Sequence, residues 1–193
     1  MSNPVEKRMN DVRDFLFKFL KQASPKYPVV FDEQHDPRPL GPYVSFKLLT
    51  SFVKVGTLDE RRWSEADECF YRIGFREFTV SIKATGSAFD GTKSSGVRAT
   101  SLLADIQWAL EDPEHAESFR AAGIGIVEWQ NIVDTTELEE NIFVPKAVFD
   151  VRMSVRVQEA LTTGTIEHVV VGGVASSPDG SDHTVDEFTI NVP

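Results

Sequence analysis

Apolar residues recur along this chain with two different periods, and the changes of period mark the elements. Val5, Val12, Phe15, Leu16, Phe19 and Leu20 fall at helical spacing, with Lys7, Arg8, Arg13, Lys18 and Lys21 mostly off that stripe. This predicts an N-terminal amphipathic helix that ends at Ser24-Pro25 and packs Phe15 and Phe19 on a sheet. Val29-Val30-Phe31 predicts a short strand. Asp36-Pro37-Arg38-Pro39-Leu40-Gly41-Pro42 predicts a stiff, extended connector, because each proline fixes φ and removes a backbone donor. A strand from Tyr43 to about Val55 follows, turning Val44, Phe46, Leu48 and Phe52 toward the core.

Residues 56–67 are polar and predict the long tip of a hairpin. Arg61, Arg62 and Trp63 in such a tip suit a protein contact, since Arg and Trp are enriched at interfaces; alternatively Trp63 folds back on its own sheet edge. In the return strand Cys69, Tyr71, Ile73 and Phe75 are apolar at odd positions, whereas Phe78, Val80, Ile82 and Ala84 are apolar at even ones. Side chains alternate faces, so the switch predicts a bulge near Gly74 to Glu77 and a long, bent hairpin. A loop over 86–96 precedes a helix capped by Ser95, with Leu102, Leu103, Ile106 and Leu110 on one face. Asp112-Pro113-Glu114 starts a second helix, which Gly123 ends.

Strands are predicted from Gly125 to Val133, Ala147 to Gln158 and Ile166 to Val174. The middle one alternates most cleanly. Ala147, Phe149, Val151, Met153, Val155 and Val157 face the helices; Arg152 and Arg156 lie on the other face, toward water or a neighbouring subunit. Residues 175–183 read as a linker to a strand-like end, Phe188, Ile190 and Val192, which folds back or adds to another chain's sheet edge. The expected fold is α+β: a mainly antiparallel, twisted sheet with a long bent hairpin and helices on one face. Residues 1–174 form a single domain in this reading, and 175–193 a linker and extended arm.

Charge adds a direction to this picture. The formal net charge is -10, divided as +3 over residues 1–27, -1 over 28–110, -8 over 111–150 and -4 over 151–193. Such a chain lacks the broad basic footprint of a nucleic-acid binder. Solubility explains the excess; so does a basic helix meeting an acidic face of another subunit, or an acidic channel in which DNA slides without sticking. No apolar run has the length of a membrane span, and the charged N-terminus has no apolar stretch behind it, so the chain is expected to stay where it is made. The single Cys69 can form no internal disulfide and no cysteine metal cluster.

Catalytic and metal motifs are not evident. His35, His115, His168 and His183 are scattered, and Asp32-Glu33-Gln34-His35-Asp36 reads as an acidic turn rather than a ligand set. Gly172-Gly173 has no adjoining Lys-Ser or Lys-Thr to make a phosphate loop, and neither Gly86-Ser87-Ala88 nor Gly180-Ser181-Asp182 has the nucleophile-elbow pattern. The reading is of a non-enzymatic chain with no catalytic residue, cofactor or metal.

The elements taken in order resemble the phage neck and tail terminator family. The resemblance rests on the N-terminal helix, the Pro37-x-Pro39-x-x-Pro42-Tyr43 connector and the return strand Phe78-Thr79-Val80-Ser81-Ile82. It continues through Leu102-Leu103-Ala104-Asp105-Ile106, Gly123-Ile124-Gly125, the strand around Arg152 and Val155-Arg156-Val157, and Ile166-Glu167-His168-Val169-Val170-Val171-Gly172. It covers about residues 5–174; the tail from about 175 does not match. The resemblance implies a virion protein assembled in the host cytoplasm: a homo-hexameric ring that caps the tail tube of a long-tailed phage, ends its polymerisation and joins it to the DNA-filled head. Implied partners are further copies of the chain, tail tube protein, a connector or adaptor and the sheath protein, with DNA passing through the lumen unread. Candidate subunit contacts are Arg152 and Arg156 against Glu137, Glu139 and Glu140. Candidate contacts to tube, sheath or connector are Arg61, Arg62, Trp63, Phe188 and Ile190. The alternatives are a head–tail adaptor binding the portal-side connector, and an α+β ligand-binding domain or enzyme.

Overall fold

The computed structural model describes residues 4–32, 38–39, 41–88, 96–139, 142–161, 168–171, 174–176, 182–184 and 188–191, the last four stretches as backbone strands. The predicted first helix is α1, Pro4–Ala23, and its stripe buries Val12, Leu16, Phe19 and Leu20. β1, Val29–Phe31, runs parallel to β2, Tyr43–Leu48. Of the expected connector, residues 33–37 and Leu40 lie outside the described residues.

The outgoing arm of the hairpin is broken into β2, β3 (Val53–Lys54) and β4 (Glu60–Ser64), all pairing antiparallel with the single long return strand β5, Cys69–Thr85. The bulge expected at Gly74–Glu77 is absent from the seam between β5 and β10 (Lys146–Leu161), where register holds from Phe70↔Leu161 to Thr85↔Lys146. The irregularity sits in the outgoing arm: Leu48 faces Val80 and Val53 faces Glu77, so residues 49–52 oppose only 78 and 79. The apolar phase changes because coverage changes. Even-numbered residues from Phe78 to Ala84 lie under the helices, whereas Ile73 is buried on the opposite face.

Gly74 has a different use from the one predicted. Asp59 and Arg76 form a two-pronged ion pair at 3.0 Å for both prongs, and a Cβ on Gly74 would overlap the Asp59 carboxylate and the Arg76 guanidinium. Arg76 holds the Asp59 carboxyl below its ordinary value, with Lys54 assisting. The pair pins the chain between β3 and β4 to the sheet. Gly74→Val is expected to lower stability by about 1–3 kcal/mol through overpacking, measured as a shift of the denaturant midpoint.

α2, Ala99–Glu111, buries Leu102, Leu103, Ile106 and Leu110 as predicted. Its N-cap position is Arg98, and the expected cap Ser95 lies outside the described residues. α3, Pro113–Ala121, starts with Pro113 at its first position and the Asp112 carboxylate accepting from Glu114 N–H at 2.8 Å. Gly123, at φ +66°, turns the chain into β6, Ile124–Trp129. β7, Val133–Asp134, follows, then a hairpin of β8, Glu137–Glu139, and β9, Ile142–Val144. The main sheet runs β1-β2-β5-β10-β6, with β3 and β4 on β5 and β7 on β10. Rows such as Phe46–Ile82–Phe149 cross three strands beneath the helices and form the core. The fold is α+β with a mainly antiparallel sheet.

Candidate functional site

The face of the sheet turned away from the helices carries the polar residues of β10, and geometry there is set by strand register. Arg152 stands opposite Thr79 on one side and Glu128 on the other. Its guanidinium donates to Glu128 Oε2 at 2.9 Å and lies 3.6 Å from Glu77 Oε2, tying β5, β10 and β6 together. Arg152, expected to meet a neighbouring subunit, is thus already held by two carboxylates of its own chain. Arg156 is different. It is exposed, donates only to the Gln158 side-chain oxygen at 3.3 Å, and faces no carboxylate among the described residues.

The acidic segment forms its own structure. Lys146, at the start of β10, reaches the β8–β9 hairpin and places Nζ 2.5 Å from Glu137 Oε2 and 2.7 Å from Glu139 Oε1. The Lys146 ammonium draws the Glu137 carboxyl below its ordinary range, and Glu137 and Glu139 together raise Lys146. Asp134 is lowered by the Thr136 hydroxyl and N–H, which close a small turn before the hairpin. The hairpin leaves Leu138, Ile142 and Phe143 exposed. Arg152 and Arg156 do not meet Glu137 or Glu139 within one chain; Glu140 lies outside the described residues.

Arg61, Arg62 and Trp63 sit on β4 and not in a loop, which corrects the expected hairpin tip over residues 56–67. Strand pairing continues to Ser64↔Cys69, and only residues 65–68 make the turn, with Glu68 at φ +49°. The turn is closed by side chains: Asp67 Oδ2 accepts from the Ser64 hydroxyl at 2.8 Å and the Tyr71 hydroxyl at 3.1 Å. Asp67, then Cys69 and burial, push the Tyr71 phenol up to about 12. Trp63 packs edge-on against Phe70, ring centroids 4.9 Å apart, so it does fold against its own sheet edge, yet 47% of it stays exposed. Between this turn and β10 lies an open cleft of about 490 Å³, lined by Arg62, Trp63, Tyr71, Ile73, Arg156 and Gln158 among others.

Phe188 and Ile190 lie on β14, Phe188–Asn191, which pairs antiparallel with β11, His168–Val171; β12, Val174–Ser176, pairs with β13, Asp182–Thr184. The C-terminal arm therefore folds back on its own chain, one of the two expected alternatives. Among the described residues, no group of three His, Cys, Asp or Glu side chains could hold a metal, and no helix is long and apolar enough to cross a membrane.

Sequence reasoning missed Lys146, Asp59, Glu77 and Glu128, whose roles depend on which strands become neighbours. It also missed Trp108, 79% exposed on α2. Residues 10–179, which hold most of α1, all of α2 and α3, the long hairpin and the alternating β10, are matched by a family model described as phage neck terminator protein. Among curated proteins, none matches the chain. A match over so much of 193 residues places the chain in a family: it belongs to the phage neck terminator proteins.

Proposed function

We propose that this neck terminator works as a closed homo-hexameric ring that caps the finished tail tube, ends its polymerisation and joins the tail to the filled head. The observation that carries the reading is the family match over residues 10–179. Physical logic supports it. A cap must match the last ring of the tube and offer no equivalent face beyond, and head-to-tail contacts that close on themselves meet both conditions. The partners in this reading are further copies of the chain, the tube protein, a connector or adaptor, and the sheath protein. The net charge of -10 suits a lumen that DNA crosses without being held. Arg156 is the exposed cation for a neighbour; Arg152 orders the face from which Arg156 projects. The test combines mass by light scattering with imaging, with and without purified tube protein. Six-subunit rings at tube ends, with tube length no longer growing, are expected. A chain that stays monomeric and leaves tube growth unchanged at excess overturns the reading.

A further inference from the structure

The two aromatic side chains left most exposed among the described residues stand on opposite faces of the domain. Trp108 on α2 is 79% exposed and Phe75 on β5 is 58% exposed. Neither meets another ring among the described residues. α2 turns Leu102, Leu103, Ile106 and Leu110 to the core, and at about 3.6 residues per turn Trp108 points directly away from that stripe. Ala104, Asp105 and Glu111 lie three or four residues from Trp108, its neighbours on the same ridge. Asp105 and Glu111 are exposed and make no ion pair among the described residues. The solvent side of the helix layer thus presents an indole between two carboxylates.

Phe75 belongs to the bare face of the sheet. Strand register sets it opposite Arg156 of β10, in the row beside Glu77 and Ser154. On its other side β3 places Val53 opposite Glu77, and Val55 N–H donates to the Phe75 carbonyl at 3.1 Å. Val53 and Val55 are two residues apart, so both share the face of Glu77 and Phe75, and both are exposed. The result is an apolar patch with a cation at its border, because Arg156 donates only to Gln158 and makes no ion pair among the described residues. Glu77 is already drawn to Arg152, 3.6 Å away. Glu60, opposite Ile73 in the next row of that face, repels an incoming carboxylate and steers it toward Arg156.

The sheet separates these two surfaces, so one molecule cannot bring them together, whereas two copies can. We infer that the α2 ridge of one copy packs on the bare sheet face of the next, setting Trp108 against Phe75, Val53 and Val55 and a carboxylate of the ridge beside Arg156. The occupant is a second copy because the surfaces match group for group: an indole flanked by unpaired carboxylates, and an apolar patch bordered by an unpaired guanidinium. A tryptophan seated on apolar neighbours with charge at the margin is a typical interface anchor. The inference rests on the ring reading and says which surfaces make the ring. Because the two surfaces differ and lie on opposite faces, the contact is heterologous, and repeated copies close into a ring or run on as a filament.

The experiment is site-directed crosslinking of the full chain in a Cys69→Ser background. Ala104→Cys places a thiol on the ridge and Val55→Cys one on the patch; a short bis-maleimide is added, folding is checked by circular dichroism, and mass is measured on the same samples. The double-cysteine protein is expected to give a ladder ending at the ring mass, and each single-cysteine protein to stay uncrosslinked. With the natural Cys69, Trp108→Ala and Phe75→Ala are each expected to weaken subunit association at least tenfold with the circular dichroism unchanged. Rings by mass without a ladder overturn this pairing of surfaces and leave the ring reading standing. Rings of unchanged stability in Trp108→Ala overturn it too, and if they no longer cap tubes they assign Trp108 to the tube protein. Crosslinked dimers from a single-cysteine protein overturn it as well, since they mean a symmetric contact. No ring by mass, even with tube protein present, overturns both.

Discussion

Phe149→Ala should remove a large part of the stability of this domain. Phe149 is 1% exposed in the first third of β10, opposite Ile82 of β5, which is opposite Phe46 of β2. Phe46 in turn meets Phe31 edge-on, with centroids 5.2 Å apart. The row thus runs across four strands, β1, β2, β5 and β10, under the helices. Truncating a buried phenylalanine loses its transfer free energy and leaves a cavity, together about 3–5 kcal/mol, against a total of about 5–15 kcal/mol for a typical domain. The midpoint of denaturant unfolding should fall while its slope is unchanged, as for a pure stability change. Phe149→Leu, which keeps most of the volume, should cost less than half as much. A shift for Phe149→Ala below about 1 kcal/mol, the scale of a surface change, would show that the row is not the centre of the core.

That row also marks how far the sequence could be read. The alternation from Ala147 to Val157 is set by the two-residue repeat of a strand, so the buried face of β10 was legible without knowing its partners. The α1 and α2 stripes were legible for the same reason, as was the Asp112-Pro113 start of α3. The phase change in β5 was equally visible, but its cause was not. A strand can change its apolar face by bulging or by passing out from under its helices, and the residues of that strand alone do not distinguish the two. Arg152 shows the corresponding limit at the candidate site. Its face followed from alternation, whereas its engagement by Glu77 and Glu128 followed only from the order β5-β10-β6. Arg61, Arg62 and Trp63 were visible as interface-type residues, but polar composition alone did not reveal that pairing with β5 extends through them to Ser64.

Lys146→Glu is expected to loosen the β8–β9 hairpin while the main sheet stays folded. Lys146 Nζ is the link between β10 and both carboxylates of β8, while Ala147, its neighbour, is buried in the core. Replacing the ammonium by a carboxylate removes two ion pairs and sets three negative charges together. Unfolding of the main sheet should change little, because the pairs are solvent-exposed and such contacts contribute weakly to global stability. The hairpin should respond much more: amide exchange over residues 137–139 and 142–144 should quicken by about tenfold as its local opening becomes easier. The pH dependence follows from the two shifts. Glu137 is depressed, so its contribution is complete above the ordinary glutamate value of 4.5 and is lost as pH falls through the lower folded value. Lys146 is raised, so its contribution is complete below the ordinary lysine value of 10.5 and is lost as pH rises through the higher folded value. Hairpin protection in the unmodified chain should therefore be flat from mildly acidic to mildly alkaline pH and fall at both extremes, and in Lys146→Glu it should instead improve on acidification as the crowded carboxylates take up protons. Equal exchange rates in the two proteins at neutral pH would mean that pairing between β8 and β9 holds the hairpin without Lys146.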